Sequence, residues 1–128
     1  MGLRKSSNIW GIAVAGIVIA TMPAAEAGNA ANGANVFARC AICHSGTKGD
    51  GNKIGPNLFG VVGRKAGTAT DFYYSAAMKS AGFTWDNDKL DAYIASPQKV
   101  VPGNKMAFAG IASAGQRADL IAYLDTLK

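Results

Sequence analysis

The chain has only one histidine, His44, and two cysteines, Cys40 and Cys43, in 128 residues. A structural zinc site takes four Cys or His ligands, so these three residues cannot build one. Charge is sparse as well: 13 Lys and Arg stand against 8 acids, and Glu26 is the sole glutamate. Basic residues this few, without aromatics interleaved among them, argue against nucleic-acid binding. There is no internal repeat or low-complexity tract, and the length suffices for one domain. Residues 9–22 form an uncharged apolar run of fourteen, whereas a bilayer-spanning helix needs about 20 apolar residues.

That run follows Arg4 and Lys5 and precedes Ala25-Glu26-Ala27, the order of parts in a secretory signal peptide. The expectation is a leader over 1–27, cleaved to leave Gly28 first, and one domain over 28–128. An uncleaved anchor is the alternative. Residues 28–128 hold eleven basic residues and seven aspartates, a net charge of +4.

The three scarce residues stand together as Cys40-Ala41-Ile42-Cys43-His44. Thiols three positions apart face one side of a helical turn, so both can reach the two vinyl groups of one porphyrin edge, and the adjacent His44 can ligate the iron. C-x-x-C-H is the attachment pattern of c-type haem. An exported chain could instead join the two cysteines in a disulfide. A dithiol redox motif normally opens a helix after a strand, and no strand pattern precedes Cys40. The haem reading uses all three residues, and a buried macrocycle would add apolar interior to a domain too small to bury much of its own.

Elsewhere the pattern is all-α, with three or four helices joined by long glycine-rich loops. The spacing predicts a first helix over 32–43 with Asn32 as its cap and Phe37 one turn from Cys40. Gly33 there marks either close approach of another helix or a frayed first turn. Residues 45–70 contain seven glycines and Pro56, too broken for regular structure; a loop wrapping a flat cofactor accounts for that length. Asp71 is expected to cap a short helix to Ala81, closed by Gly82. A helix over 84–96 follows, with Leu90, Tyr93, Ile94 and Pro97 on one face. Ser113-Ala114-Gly115-Gln116 has the form of a capping box, opening a last helix with Leu120, Ile121, Leu124 and Leu127 as its stripe.

A second axial ligand to the iron is found by elimination. With one histidine, a bis-histidine haem is excluded. Met1 and Met22 belong to the leader, which leaves Met78 and Met106. Met78 lies in a helical stretch where methionine commonly fills core; Met106 lies in an irregular loop. A thioether favours the reduced iron and raises its potential. Tyr93 is a candidate to hydrogen-bond the sulfur, with a core role on the Leu90 and Ile94 face as the alternative.

From Gly33 to Leu124 the chain resembles the class I cytochromes c, of the bacterial cytochrome c2 and mitochondrial cytochrome c group. The matching pieces are Gly33 and Phe37, Cys40 to His44, Gly55-Pro56-Asn57-Leu58, Gly63-Arg64-Lys65, Gly82-Phe83-Thr84-Trp85, Pro102 to Gly110, and Arg117 with Asp119 to Leu124. The resemblance implies a small cytochrome c fold wrapped around one covalent haem c. It assigns Met106 as the sixth ligand and gives the Pro56 carbonyl the free ring nitrogen of His44, which fixes a ligating ring and raises its basicity. It places Arg64, Tyr74, Ser75 and Trp85 around the propionates and sets Gly33 and Phe37 against Leu120 and Tyr123. At Asn104 the family often has a threonine that donates to a propionate, so the chain departs from the pattern there.

With both axial positions filled, no substrate reaches the iron. The expected function is a soluble one-electron carrier, not an enzyme, working in the bacterial periplasm as a monomer. Its expected partners are membrane redox complexes of a respiratory or photosynthetic chain, such as a cytochrome bc1 complex, a terminal oxidase or a reaction centre, or periplasmic dehydrogenases. A haem sensor or peroxidase-like enzyme with a displaceable sixth ligand, and a membrane-tethered oxidase subunit, are the alternatives. Arg39, Lys48 and Lys53 flank the attachment segment and Lys99 and Lys105 flank Met106, against Asp50 alone. These segments hold the whole +4, because the rest of 28–128 has six bases and six acids. A basic rim of this kind would steer the carrier toward acidic docking surfaces.

Overall fold

The computed structural model describes residues 2–3, 9–20 and 27–128. Of the expected leader, Arg4, Lys5 and residues 21–26 lie outside the described residues. Among the described residues no helix is long and apolar enough to cross a membrane, and no strand forms beyond one isolated bridge between Lys65 and Thr84. The fold is all-α. Three longer helices, α1 (Ala30–Ala41), α3 (Asn87–Ala95) and α5 (Ala114–Asp125), are accompanied by two single turns, α2 (Ala76–Lys79) and α4 (Pro97–Val100).

Helix α1 starts two residues before the predicted boundary because Asn29, not Asn32, is the cap. The Asn29 side chain accepts from the Asn32 amide at 3.0 Å, satisfying a donor that the first turn would otherwise leave open. α1 also ends earlier than predicted, at Ala41. The segment 71–81 departs furthest from expectation. Asp71 takes a left-handed backbone with φ 59° and caps nothing; Ser75 caps the short α2, its hydroxyl accepting from the Met78 amide at 3.1 Å. Asp86 caps α3 through the Lys89 amide at 2.7 Å, and Leu90, Tyr93 and Ile94 are buried on the predicted face. Pro97 ends that helix and opens α4 at the first position, where a missing N–H costs nothing. Ser113 caps α5 through the Gln116 amide at 3.2 Å.

Helices α1 and α5 cross at Gly33. A Cβ there would meet the Asp119 carbonyl oxygen and lie 2.7 Å from the Tyr123 Cβ, so the glycine marks close approach rather than fraying. Beside it, the rings of Phe37 and Tyr123 pack at 5.1 Å, and Leu120 is 1% exposed. Arg117 ties the other side: its guanidinium binds Asp91 of α3 at 2.7 Å and the carbonyls of Ile111 and Ala112 at 2.9 and 3.0 Å. These contacts hold α1, α3 and α5 as a frame, and the loops 43–75 and 101–113 close over its open side.

Candidate functional site

Cys40 lies in the last turn of α1 and Cys43 in the turn beyond it. The amides of Cys43 and His44 both donate to the Cys40 carbonyl, at 3.0 and 2.8 Å, so the end of the helix itself fixes the spacing of the C-x-x-C-H residues. The two thiols are half-buried and not joined to each other. Burial pushes the Cys40 thiol above its ordinary value, against a smaller opposing pull from Arg39. A reactive dithiol needs a depressed value, so this thiol is poorly suited to redox exchange.

His44 Nδ1 lies 2.7 Å from the Pro56 carbonyl. A carbonyl only accepts, so Nδ1 carries the proton and Nε2 presents a lone pair. Burial lowers the pKa of the ring, aided by Arg64 and Lys53 and opposed by the Pro56 bond, which keeps the imidazole neutral and fit to ligate. The ring has room only because residue 55 is glycine: a Cβ there would lie 2.6 Å from Nδ1. The Gly55 amide in turn donates to the Cys43 carbonyl at 2.7 Å, locking the loop against the attachment turn.

Met106 lies in the loop that leaves α4. Its amide donates to the Asn104 side-chain oxygen at 2.9 Å, and its sulfur is 4.0 Å from the Tyr93 hydroxyl. Trp85 packs against Tyr93 edge to face, with ring centroids 4.9 Å apart.

Between these walls is a cavity of about 540 Å³. All ten residues singled out in the sequence border it: Cys40, Cys43, His44, Pro56, Arg64, Tyr74, Ser75, Trp85, Tyr93 and Met106. Its interior is closed by Val61, Leu90, Ile94, Leu120 and Leu124, and its mouth is edged by Ile42 and Ile54, 73% and 78% exposed. Arg64 donates to the Asn57 carbonyl at 3.0 Å, and burial lowers its pKa. The Tyr74 hydroxyl accepts from the Ala69 amide at 3.0 Å and the Ser75 hydroxyl from the Met78 amide, so each keeps its own O–H to donate.

Sequence reasoning missed Met78, Phe72 and Phe108 as lining residues, while Asn104, placed at the propionates by the family resemblance, does border the cavity. Met78, expected as core filler, is 8% exposed and borders the cavity. Tyr74 and Ser75 precede α2, so no helical spacing links Met78 to them; it reaches the cavity from the single turn that Ser75 caps. An apolar cleft with two thiols at one wall, a neutral imidazole beside them and a thioether among its lining residues fits a large, flat, covalently held iron porphyrin.

The comparisons agree with that geometry. Residues 30–128 match the family model described as Cytochrome c. Cytochrome c of Chlamydomonas reinhardtii is 50% identical over 107 residues, covering 83% of this chain and 96% of that one. Cytochrome c of Ulva intestinalis is 48% identical over 105 residues, covering 81% and 95%. Among solved structures, cytochrome cH from Methylobacterium extorquens is 46% identical with a TM-score of 0.74, covering 77% of this chain and 99% of that one. The chain belongs to the cytochrome c family, electron carriers rather than enzymes, which hold haem c covalently through a segment such as Cys40 to His44.

Proposed function

We propose that this chain is an exported one-electron carrier of the bacterial periplasm, with haem joined through Cys40 and Cys43 and ligated axially by His44 and Met106. The observation that carries this reading is that the Nε2-presenting ring of His44 and the thioether of Met106 border the same apolar cavity as the two thiols. Bound haem supplies reversible one-electron exchange between ferrous and ferric iron. The protein's share is to hold both ligands still and keep water out. Pro56 orients the imidazole, Tyr93 faces the thioether, and Leu90, Ile94 and Trp85 provide the dry wall. Arg64, Tyr74 and Ser75 offer a cation and two hydroxyl donors for propionates. With both axial sides filled by protein, substrate has no position to take.

The leader reading has support at the start of the packed chain. Gly28 lies so close to α5 that a Cβ would run into the Ala118 carbonyl, and the Asn29 amide donates to the Asp119 carboxylate at 2.7 Å. A domain beginning at Gly28 is thus anchored from its first residue.

Acidic faces of membrane redox complexes, such as a cytochrome bc1 complex, a terminal oxidase or a reaction centre, are the proposed partners of a monomer. The basic rim is wider than the sequence segments imply. Lys79 and Lys105 each lie over the ring of Tyr73, at 4.9 and 5.1 Å, which brings Lys79 beside the Met106 loop; Tyr73 itself is 80% exposed.

The test compares the two thioethers that border the cavity. Met106→Ala is expected to lose the sulfur-to-iron charge-transfer band and lower the reduction potential, while Met78→Leu keeps both. The reverse outcome would move the axial role to Met78.

A further inference from the structure

Asn104 is a buried polar side chain, 8% exposed, and all of its amide is engaged with backbone. The two Nδ2 hydrogens go to the carbonyls of Pro97 at 3.1 Å and Val101 at 2.8 Å, and Oδ1 accepts the Met106 amide at 2.9 Å. A carboxamide has two donor hydrogens, so none is left for a propionate. On the outer side of the same loop, Gln98 repeats the device: its Nε2 donates to the Asn104 carbonyl and its Oε1 accepts the Gly103 amide, both at 3.1 Å. The loop is thus stapled to α4 from within and from without.

We propose that Asn104 is a positioning residue for the sixth ligand, coupling α4 to the Met106 backbone and so determining how often the thioether leaves the iron. This rests on the reading of Met106 as axial ligand. A threonine at this position has one hydroxyl donor and could not serve both carbonyls. The asparagine therefore fixes the loop through its own chain rather than through the cofactor.

An exogenous ligand reports the departure of the thioether directly, because its apparent affinity scales with the fraction of molecules in the open form. Imidazole is titrated into the oxidised holoprotein, with the sulfur-to-iron band as a second readout. Each buried hydrogen bond of this kind contributes on the order of one power of ten or less. Asn104→Ala is therefore expected to bind imidazole about 10- to 100-fold more tightly, and Gln98→Ala by a smaller factor. Asp91→Asn, which weakens the distant tie to Arg117, controls for general loosening and is expected to stay within about twofold even where its unfolding midpoint falls. Should Asn104→Ala not accumulate, Asn104→Asp replaces it: the same shape, but with an oxygen facing both carbonyls. Imidazole affinity in the Asn104 variants no greater than in Asp91→Asn, with Met106→Ala binding much more tightly, overturns the positioning role alone. Met106→Ala binding imidazole as the parent does, with its band intact, overturns the ligand reading and this inference together.

Discussion

The Tyr93 hydroxyl stands 4.0 Å from the Met106 sulfur, and burial pushes its pKa up to about 12, so it remains a donor at neutral pH. With Met106 as the proposed ligand, a donor facing its sulfur would withdraw electron density from it and favour ferrous iron. Tyr93→Phe keeps the ring that packs on Trp85 but removes the donor. The expected result is a reduction potential lower by up to about 40 mV, the equivalent of roughly 1 kcal/mol for one electron. An unchanged potential in a redox titration would leave Tyr93 as a core aromatic.

How much of this was legible in advance depended on the range of the interactions involved. Cys40, Cys43 and His44 form a local motif, and the faces of α3 and α5 followed from helical periodicity, since a repeat of 3.6 residues needs no partner to be seen. Sequence alone does not separate the Asn29 cap from Asn32, because two asparagines and a glycine lie within five residues and either asparagine fits a capping pattern. Asp71 has the form of a cap, but Tyr74 and Ser75, drawn to the cavity wall by tertiary packing, interrupt the helix it would open. The meaning of Gly33 was undecidable without α5, and the meeting of Lys79 with Lys105 on Tyr73 joins segments 26 residues apart.

Gly33→Ala tests the crossing of α1 and α5. Helix propensity alone would favour alanine by about 1 kcal/mol. The added methyl, however, meets the Asp119 carbonyl and the Tyr123 Cβ, and backbone cannot yield as a side-chain tip does. Overpacking of this kind costs about 1–3 kcal/mol, so the urea midpoint is expected to fall. A midpoint that rises would mean that the two helices slide apart freely.

Export makes a discrete expectation at the other end of α1. N-terminal sequencing of the protein from the periplasmic fraction should begin at Gly28, which lies against α5. A protein recovered only from membranes with residues 1–27 intact would support the anchor instead.

Partner recognition follows from where the charges sit. Lys48, Lys53, Lys99 and Lys105 belong to the two segments that hold the whole net +4, and the shared Tyr73 ring adds Lys79 to the Met106 side. Exposed charges act on encounter more than on the buried site, so reversing any of these five should leave the spectrum and potential nearly unchanged. Their effect should be on second-order electron transfer with an acidic membrane complex. Each reversal is expected to slow that reaction several-fold at low salt, as a steered association does. The differences should shrink toward physiological ionic strength, where charges are screened over about 8 Å. Lys89, which lies over Phe83 at 4.9 Å, and Lys128 serve as the comparison group, with a shallower dependence on salt. Lys79 decides between a rim defined by sequence and one defined by space: a slope matching Lys105 places it in the docking face, whereas a slope matching Lys89 confines that face to the segments beside the ligands.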